Sequence, residues 1–194
     1  MVFSDYIQLD FLGLFLEIYL FIVSVLLLMF GVFFVSLRQY NYNNFVREFQ
    51  YILLLIFSFG ILLLLNTPVT NLIIFNNLLI IDPIILSIKC ILLFTTICCI
   101  LVSFNYLKNE KVVLFEYNIL ILLSILGLLC FVSSNDLVSF YLALELQSLS
   151  FYILASFKKD SAFSTEAGLK YFILGALSSG FLLFGISLIY GSLG

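Results

Sequence analysis

Glu17, Asp82, Lys89, Glu116, Glu145 and Lys170 lie inside long apolar runs of this 194-residue chain. An ionisable side chain at bilayer depth costs about 3 kcal/mol or more to insert, so it pairs, faces a polar interior or carries protons and ions. Glu145 is the most informative. It sits near the middle of Leu137–Phe157, a stretch of about 21 residues, enough to cross a bilayer as a helix at about 1.5 Å per residue. On that helix Tyr141, Ser148 and Tyr152 share its face at spacings of three and four. Gln147 and Ser150 lie nearby on other faces. A single polar stripe in lipid turns inward. Two readings stay open for Glu145: a carboxylate that exchanges protons, or a protonated, hydrogen-bonded carboxyl that holds helices together, since burial disfavours the charged form.

Asp82 and Lys89 are two helical turns apart on one face, with Lys89 near mid-membrane. They are expected to form an intramembrane ion pair, directly or through another helix. Glu116 lies near the inner surface. Lys170 enters the last apolar run from the same side, where its stem can snorkel to the interface. Glu116, Glu145 and Lys170 thus form an acidic–acidic–basic series on three consecutive helices, the kind of groups that build a proton relay. Glu17, near the outer end of the first run, is expected at a surface or interface.

The elements that carry these residues follow from composition. The chain is 64% hydrophobic and 10% charged, with a mean hydropathy of +1.26. A soluble domain would have too little polar surface for water, so the expected fold is all-α, a polytopic membrane helix bundle. Six apolar segments span roughly Leu12–Leu37, Phe49–Leu65, Leu78–Leu107, Val112–Val132, Leu137–Phe157 and Ala167–Tyr190. The second is short for a span, and the third is long enough to require tilt or extension. One membrane domain, residues 1–194, accommodates all six. Arg38 and Arg47, Lys108 and Lys111, and Lys158 and Lys159 occupy alternate connections, whereas Asn66–Asn77 and Ser133–Asp136 carry no Lys or Arg. Positive charge marks the inner side, which puts both termini on the outer side. Tyr6, Tyr40, Tyr42, Tyr51, Tyr106 and Tyr190 fall near span ends and can form an interfacial belt. Asn66–Asn77, with Pro68, reads as an outer loop. Gly175 with Ser179, and Ala176 with Gly180, make small-residue rows for close helix packing.

Several functions find no support. There is no His, and Cys90, Cys98, Cys99 and Cys130 lie in apolar runs without metal-site spacing, so they read as small apolar residues. No glycine-rich phosphate loop is present, and no nucleic-acid partner is implied. The first basic residue is Arg38, so neither an Arg-rich presequence nor a signal peptide is recognisable. Synthesis in the compartment whose membrane receives the chain is the expectation. Membrane lipids are partners by necessity.

The segment Leu144-Glu145-Leu146-Gln147-Ser148-Leu149-Ser150-Phe151-Tyr152-Ile153-Leu154-Ala155 resembles the fifth helix of the NADH dehydrogenase subunit 2 family, antiporter-like membrane subunits of respiratory complex I. Glu166-Ala167-Gly168-Leu169-Lys170-Tyr171-Phe172-Ile173-Leu174-Gly175-Ala176-Leu177-Ser178-Ser179-Gly180 is similar to its sixth. Asp82 with Lys89 is similar to its third helix, Glu116-Tyr117 followed by Leu126-Gly127 to its fourth, and Glu17-Ile18 to its first. The resemblance implies a proton-translocating module of NADH:ubiquinone oxidoreductase in the mitochondrial inner membrane. It has no redox centre of its own, and NADH, flavin, iron–sulfur clusters and quinone are expected in other subunits. Glu145 would modulate the charge of a seventh-helix lysine, and Lys170 would lie near the same polar path. The family has about 14 helices, two inverted repeats after three leading helices. This sequence corresponds to the leading helices (about 12–107) and helices four to six (about 112–190). A second polypeptide is therefore expected to supply helices seven to fourteen, besides the other membrane-arm subunits. A structural fragment without proton transfer, or a subunit of a multisubunit cation/proton antiporter, are the alternatives.

Overall fold

The computed structural model describes residues 13–37, 42–67, 72–75, 77–109, 115–158 and 160–193, with the side chains at 34–37, 42–47, 72, 104–109, 115 and 193 outside that description. Arg38, Lys111, Lys159, Tyr6, Tyr40 and Pro68 lie outside the described residues. Six helices carry the apolar segments: α1 (Phe15–Leu37), α2 (Tyr42–Asn66), α3 (Pro83–Asn109), α4 (Phe115–Ser133), α5 (Leu137–Ala155) and α6 (Ala162–Leu193). All six are long and apolar enough to cross a membrane. The shortest, α4 and α5 at 19 residues each, would still run about 28 Å, close to the hydrocarbon thickness.

The second and third spans differ from their sequence reading. The second is not short, because α2 begins seven residues earlier, at Tyr42, and its polar first turns extend the apolar part. The third does not begin at Leu78. A hairpin of β1 (Leu72–Ile74) and β2 (Leu79–Ile81) precedes it, in register Leu72 with Ile81 and Ile74 with Leu79. Two runs of Leu-Ile-Ile flank an asparagine-bearing turn, in which Phe75 and Asn77 take positive φ values of 51° and 72°. Asn tolerates the left-handed region better than most residues, so it suits this turn. Pro83 then opens α3 at the first helical position, where a missing N–H costs nothing. Residues 72–75 and 77 of the tract read as an outer loop thus belong to a hairpin.

The core lies around α4, which packs against α1, α2, α3 and α5. Leu16 and Leu20 of α1, Leu53 and Phe57 of α2, Leu93 of α3, and Leu122, Ile125 and Leu129 of α4 are buried together. Helices this apolar have no sidedness from hydrophobicity, so shape and the few polar groups decide their packing. At Gly127 α4 approaches α5 so closely that an added Cβ would lie 2.8 Å from the Gln147 nitrogen. The connections without Lys or Arg meet at one end of the bundle. Asn135, between α4 and α5, donates through its amide side chain to the Asn77 carbonyl at 2.8 Å and through its backbone N–H to Leu78 at 2.9 Å. Gly13, at the start of α1, lies against Ile74 and Ile81 of the hairpin. Tyr190, near the end of α6, donates to Asp136. The described ends of α1 and α6 therefore lie on the same side as the two connections that lack basic residues.

Candidate functional site

Asp136 caps the N-terminus of α5, its carboxylate accepting from the Val138 N–H at 3.2 Å. From that fixed start, two turns of helix bring Glu145 to mid-length. Its face is turned towards α6. Tyr152 packs edge-on against Tyr171 and Phe172, with ring centroids 4.9 and 5.7 Å apart, and fills the space beside Gly175. Tyr141 lies beside both Glu145 and Ser179. The row Gly175–Ser179 is therefore the close-packing face of α6, as small residues at that spacing allow. Ala176 and Gly180, the other row, are exposed, and an added Cβ on Gly180 would meet nothing within 4 Å.

Glu145 itself is half-buried in this α5–α6 seam. Ser148 donates to the Glu145 backbone carbonyl at 3.1 Å and approaches its carboxylate at 3.5 Å. Other hydroxyls along the spans satisfy themselves on their own helix one turn back, as Ser150 does on Leu146 and Thr96 on Leu93. The polar stripe read from the sequence is thus a seam, Tyr141–Glu145–Ser148–Tyr152 against Gly175–Ser179. A carboxylate there can accept or release a proton through neighbouring hydroxyls.

The series Glu116–Glu145–Lys170 is not assembled into one cluster among the described residues. Lys170 pairs with Glu166 one turn back at 2.5 Å, and both side chains are well exposed, 71% and 60%. Glu116 lines a groove of about 450 Å³ between α1, α4 and the end of α5, with Leu28, Leu120, Ile153 and Phe157. No described residue of α6 lines that groove.

The expected pairing of Asp82 with Lys89 is replaced by another. Lys89 donates to Glu17 of α1 at 2.5 Å, with 1% and 7% of the side chains exposed. Asp82 is half-buried immediately before α3, where its carbonyl accepts from Leu86 as the helix begins. The reason is geometric. Two turns of α3 separate Asp82 from Lys89, whereas α1 passes directly beside the lysine. Glu17, expected at a surface or interface, is buried against α3 for the same reason. The missed signal was depth: Glu17 and Lys89 both lie within about two turns of the N-terminal ends of their helices. Among the described residues no group of three or more His, Cys, Asp or Glu could hold a metal ion, and the four cysteines are free thiols.

The last 61 residues, 134–194, match the family model described as NADH:quinone oxidoreductase/Mrp antiporter, TM. NADH-ubiquinone oxidoreductase chain 2 of Marchantia polymorpha is 47% identical over 188 residues, 95% of this chain and 38% of that protein. NADH-quinone oxidoreductase subunit N of Pelagibacter ubique is 43% identical over 90% of this chain and 36% of that protein. The chain thus spans less than two fifths of the length of these relatives. Among solved structures, respiratory complex I from Thermus thermophilus with bound Aureothin contains a chain that superposes with a TM-score of 0.71 at 26% identity, over 91% of this chain and 36% of the other. The membrane-bound sulfane sulfur reductase, an archaeal respiratory membrane complex, matches in fold with a TM-score of 0.62 at 21% identity. With six membrane-length helices and these similarities over nearly its whole length, the chain resembles the antiporter-like membrane subunits of NADH:quinone oxidoreductases, and matches the N-terminal part of chain 2, or subunit N.

Proposed function

We propose that this chain works in the membrane arm of a proton-pumping NADH:ubiquinone oxidoreductase of the mitochondrial inner membrane, with both ends on the outer side. The observation that carries the reading is the Glu145 seam: a half-buried carboxylate at mid-membrane, flanked by Tyr141 and Ser148 and facing α6. Such a carboxylate can hold a proton in one charge state of its surroundings and release it in another. Lys170 joins the path from the inner side once its exposed face is covered, exchanging its partner Glu166 for groups nearer the seam. Glu116 serves at the inner end, where protons arrive. Electron transfer from NADH to quinone belongs to other subunits.

The outward face of α6 supports a further part of the reading. Leu169, Ile173, Leu174, Leu177, Phe181 and Phe184 are exposed together. The remaining helices of the subunit cover this face, on a second polypeptide or on a continuation of this one. Mass spectrometry of the intact solubilised complex, with in-gel NADH oxidation, tests the proposal. NADH activity with an additional hydrophobic chain carrying helices seven to fourteen supports the split arrangement. NADH activity with one longer chain supports the continuous one. A complex without NADH activity overturns the assignment.

A further inference from the structure

Glu17 and Lys89 form a second acid–base couple, separate from the Glu145 seam and built from α1 and α3. Its energetics are unusual. Taking two charges out of water costs several kcal/mol per ion, and well-packed apolar residues in place of a buried pair are often neutral or stabilising. This pair is also incompletely satisfied. One carboxylate oxygen accepts from Lys89, while the other, Oε2, is buried and has no donor. An unmet buried acceptor adds about 1–3 kcal/mol of cost. Ordinary packing needs none of this, because Leu16 and Leu20 on either side already bind α1 into the core.

The surroundings define what can reach the couple. Lys89 faces it from α3, and the Cys130 thiol of α4 lies within electrostatic range of both groups. From α2 the neighbouring contact is apolar, Gly60 against Leu16 and Leu93. At the outer end the hairpin closes over the start of α1 through Ile74 and Ile81. The buried Oε2 without a donor is a place a proton can occupy, while the Lys89 ammonium favours the ionised form, so the two effects oppose one another.

We infer that the Glu17–Lys89 couple is a protonatable site of the leading helices that loads and releases a proton in addition to the Glu145 seam. A proton reaching Oε2 converts the carboxylate to a neutral carboxyl and leaves Lys89 as the only charge. Its departure restores the pair. The inference rests on the proposed pumping role, but its test does not depend on it alone.

The test compares Glu17→Gln, Lys89→Met and the double variant Glu17→Gln/Lys89→Met in the assembled complex. The first readout is protons pumped per NADH oxidised. The second is a carboxylic-acid C=O band in infrared spectra across a pH titration, which needs no turnover. The expected result is a double variant that assembles and oxidises NADH at a normal rate, with fewer protons per NADH, and a titrating band in the wild type that disappears in Glu17→Gln. A double variant with wild-type stoichiometry, or a wild type without a Glu17-dependent band, overturns the inference and leaves the pair a structural clamp. Should these variants fail to assemble, the swap Glu17→Lys/Lys89→Glu keeps both ionisable groups. It must then show the titrating band, and its absence has the same overturning force. A wild-type complex that shows the band but pumps nothing would contradict the pumping role and leave the protonatable site standing.

Discussion

Asp136 joins the start of α5 to the end of α6 through a single carboxylate. The Tyr190 hydroxyl and the backbone N–H groups of α5's first turn hold it below the usual carboxylate range. A depressed folded-state pKa contributes stability that is present above the ordinary carboxylate pKa and is lost as pH falls through the folded value. Hydrogen exchange in the last turn of α6 is therefore expected to stay slow at neutral pH and to accelerate only in acid. Tyr190→Phe should move that acid midpoint upwards, towards the ordinary value of about 3.9. An unchanged midpoint would show that Tyr190 does not control the carboxylate. At Gly127, Gly127→Val would force the α4 and α5 backbones apart, at a cost of about 1–3 kcal/mol by the usual scale of overpacking. A lower thermal midpoint of the solubilised protein checks this. The placement of Glu145 in a polar seam was legible in the sequence because a mid-span carboxylate has no cheap alternative to one. The Glu17–Lys89 pair was not, because sequence spacing measures neighbours along one helix and says nothing about which helix passes beside it.

The β1–β2 hairpin shows what an element contributes beyond its residues. It receives Asn135 and, through Leu78, Ser139, whose hydroxyl donates at 3.1 Å. In this way the α2–α3 and α4–α5 connections are tied together. The turn depends on Asn77 at φ 72°. Asn77→Val is expected to destabilise by about 1–3 kcal/mol, as a β-branched residue is strained there, whereas Asn77→Gly should be nearly neutral. Limited proteolysis in the 66–82 connection distinguishes the two: the valine variant should be cut faster than wild type, the glycine variant at a similar rate. Helix number and order were legible because apolar length and the alternation of basic connections are strong signals. The hairpin was hidden because a run of Leu and Ile reads equally as the start of a buried helix. Only Pro83, which marks a first helical position, separates the two.

For the whole molecule, α1 to α5 surround a shared core while α6 leans mainly on α5. Leu174 and Phe181 face outward on α6, and the relatives are more than twice as long, so under the proposed function the remaining helices of the subunit cover this face. A cysteine placed at Leu174 should react readily with a bulky maleimide in the isolated chain and become protected in the assembled complex. Equal labelling in both would place the remaining helices elsewhere. The central claim concerns Glu145 and proton translocation. Its most direct test is the ratio of protons pumped to NADH oxidised by complex carrying Glu145→Gln. Glutamine retains the size of the side chain and its Ser148 contact but cannot take up a proton. The account expects an assembled enzyme with a clearly reduced proton ratio. An assembled Glu145→Gln complex that pumps at the wild-type ratio would contradict it and leave Glu145 as a structural hydrogen-bonding residue of the α5–α6 seam.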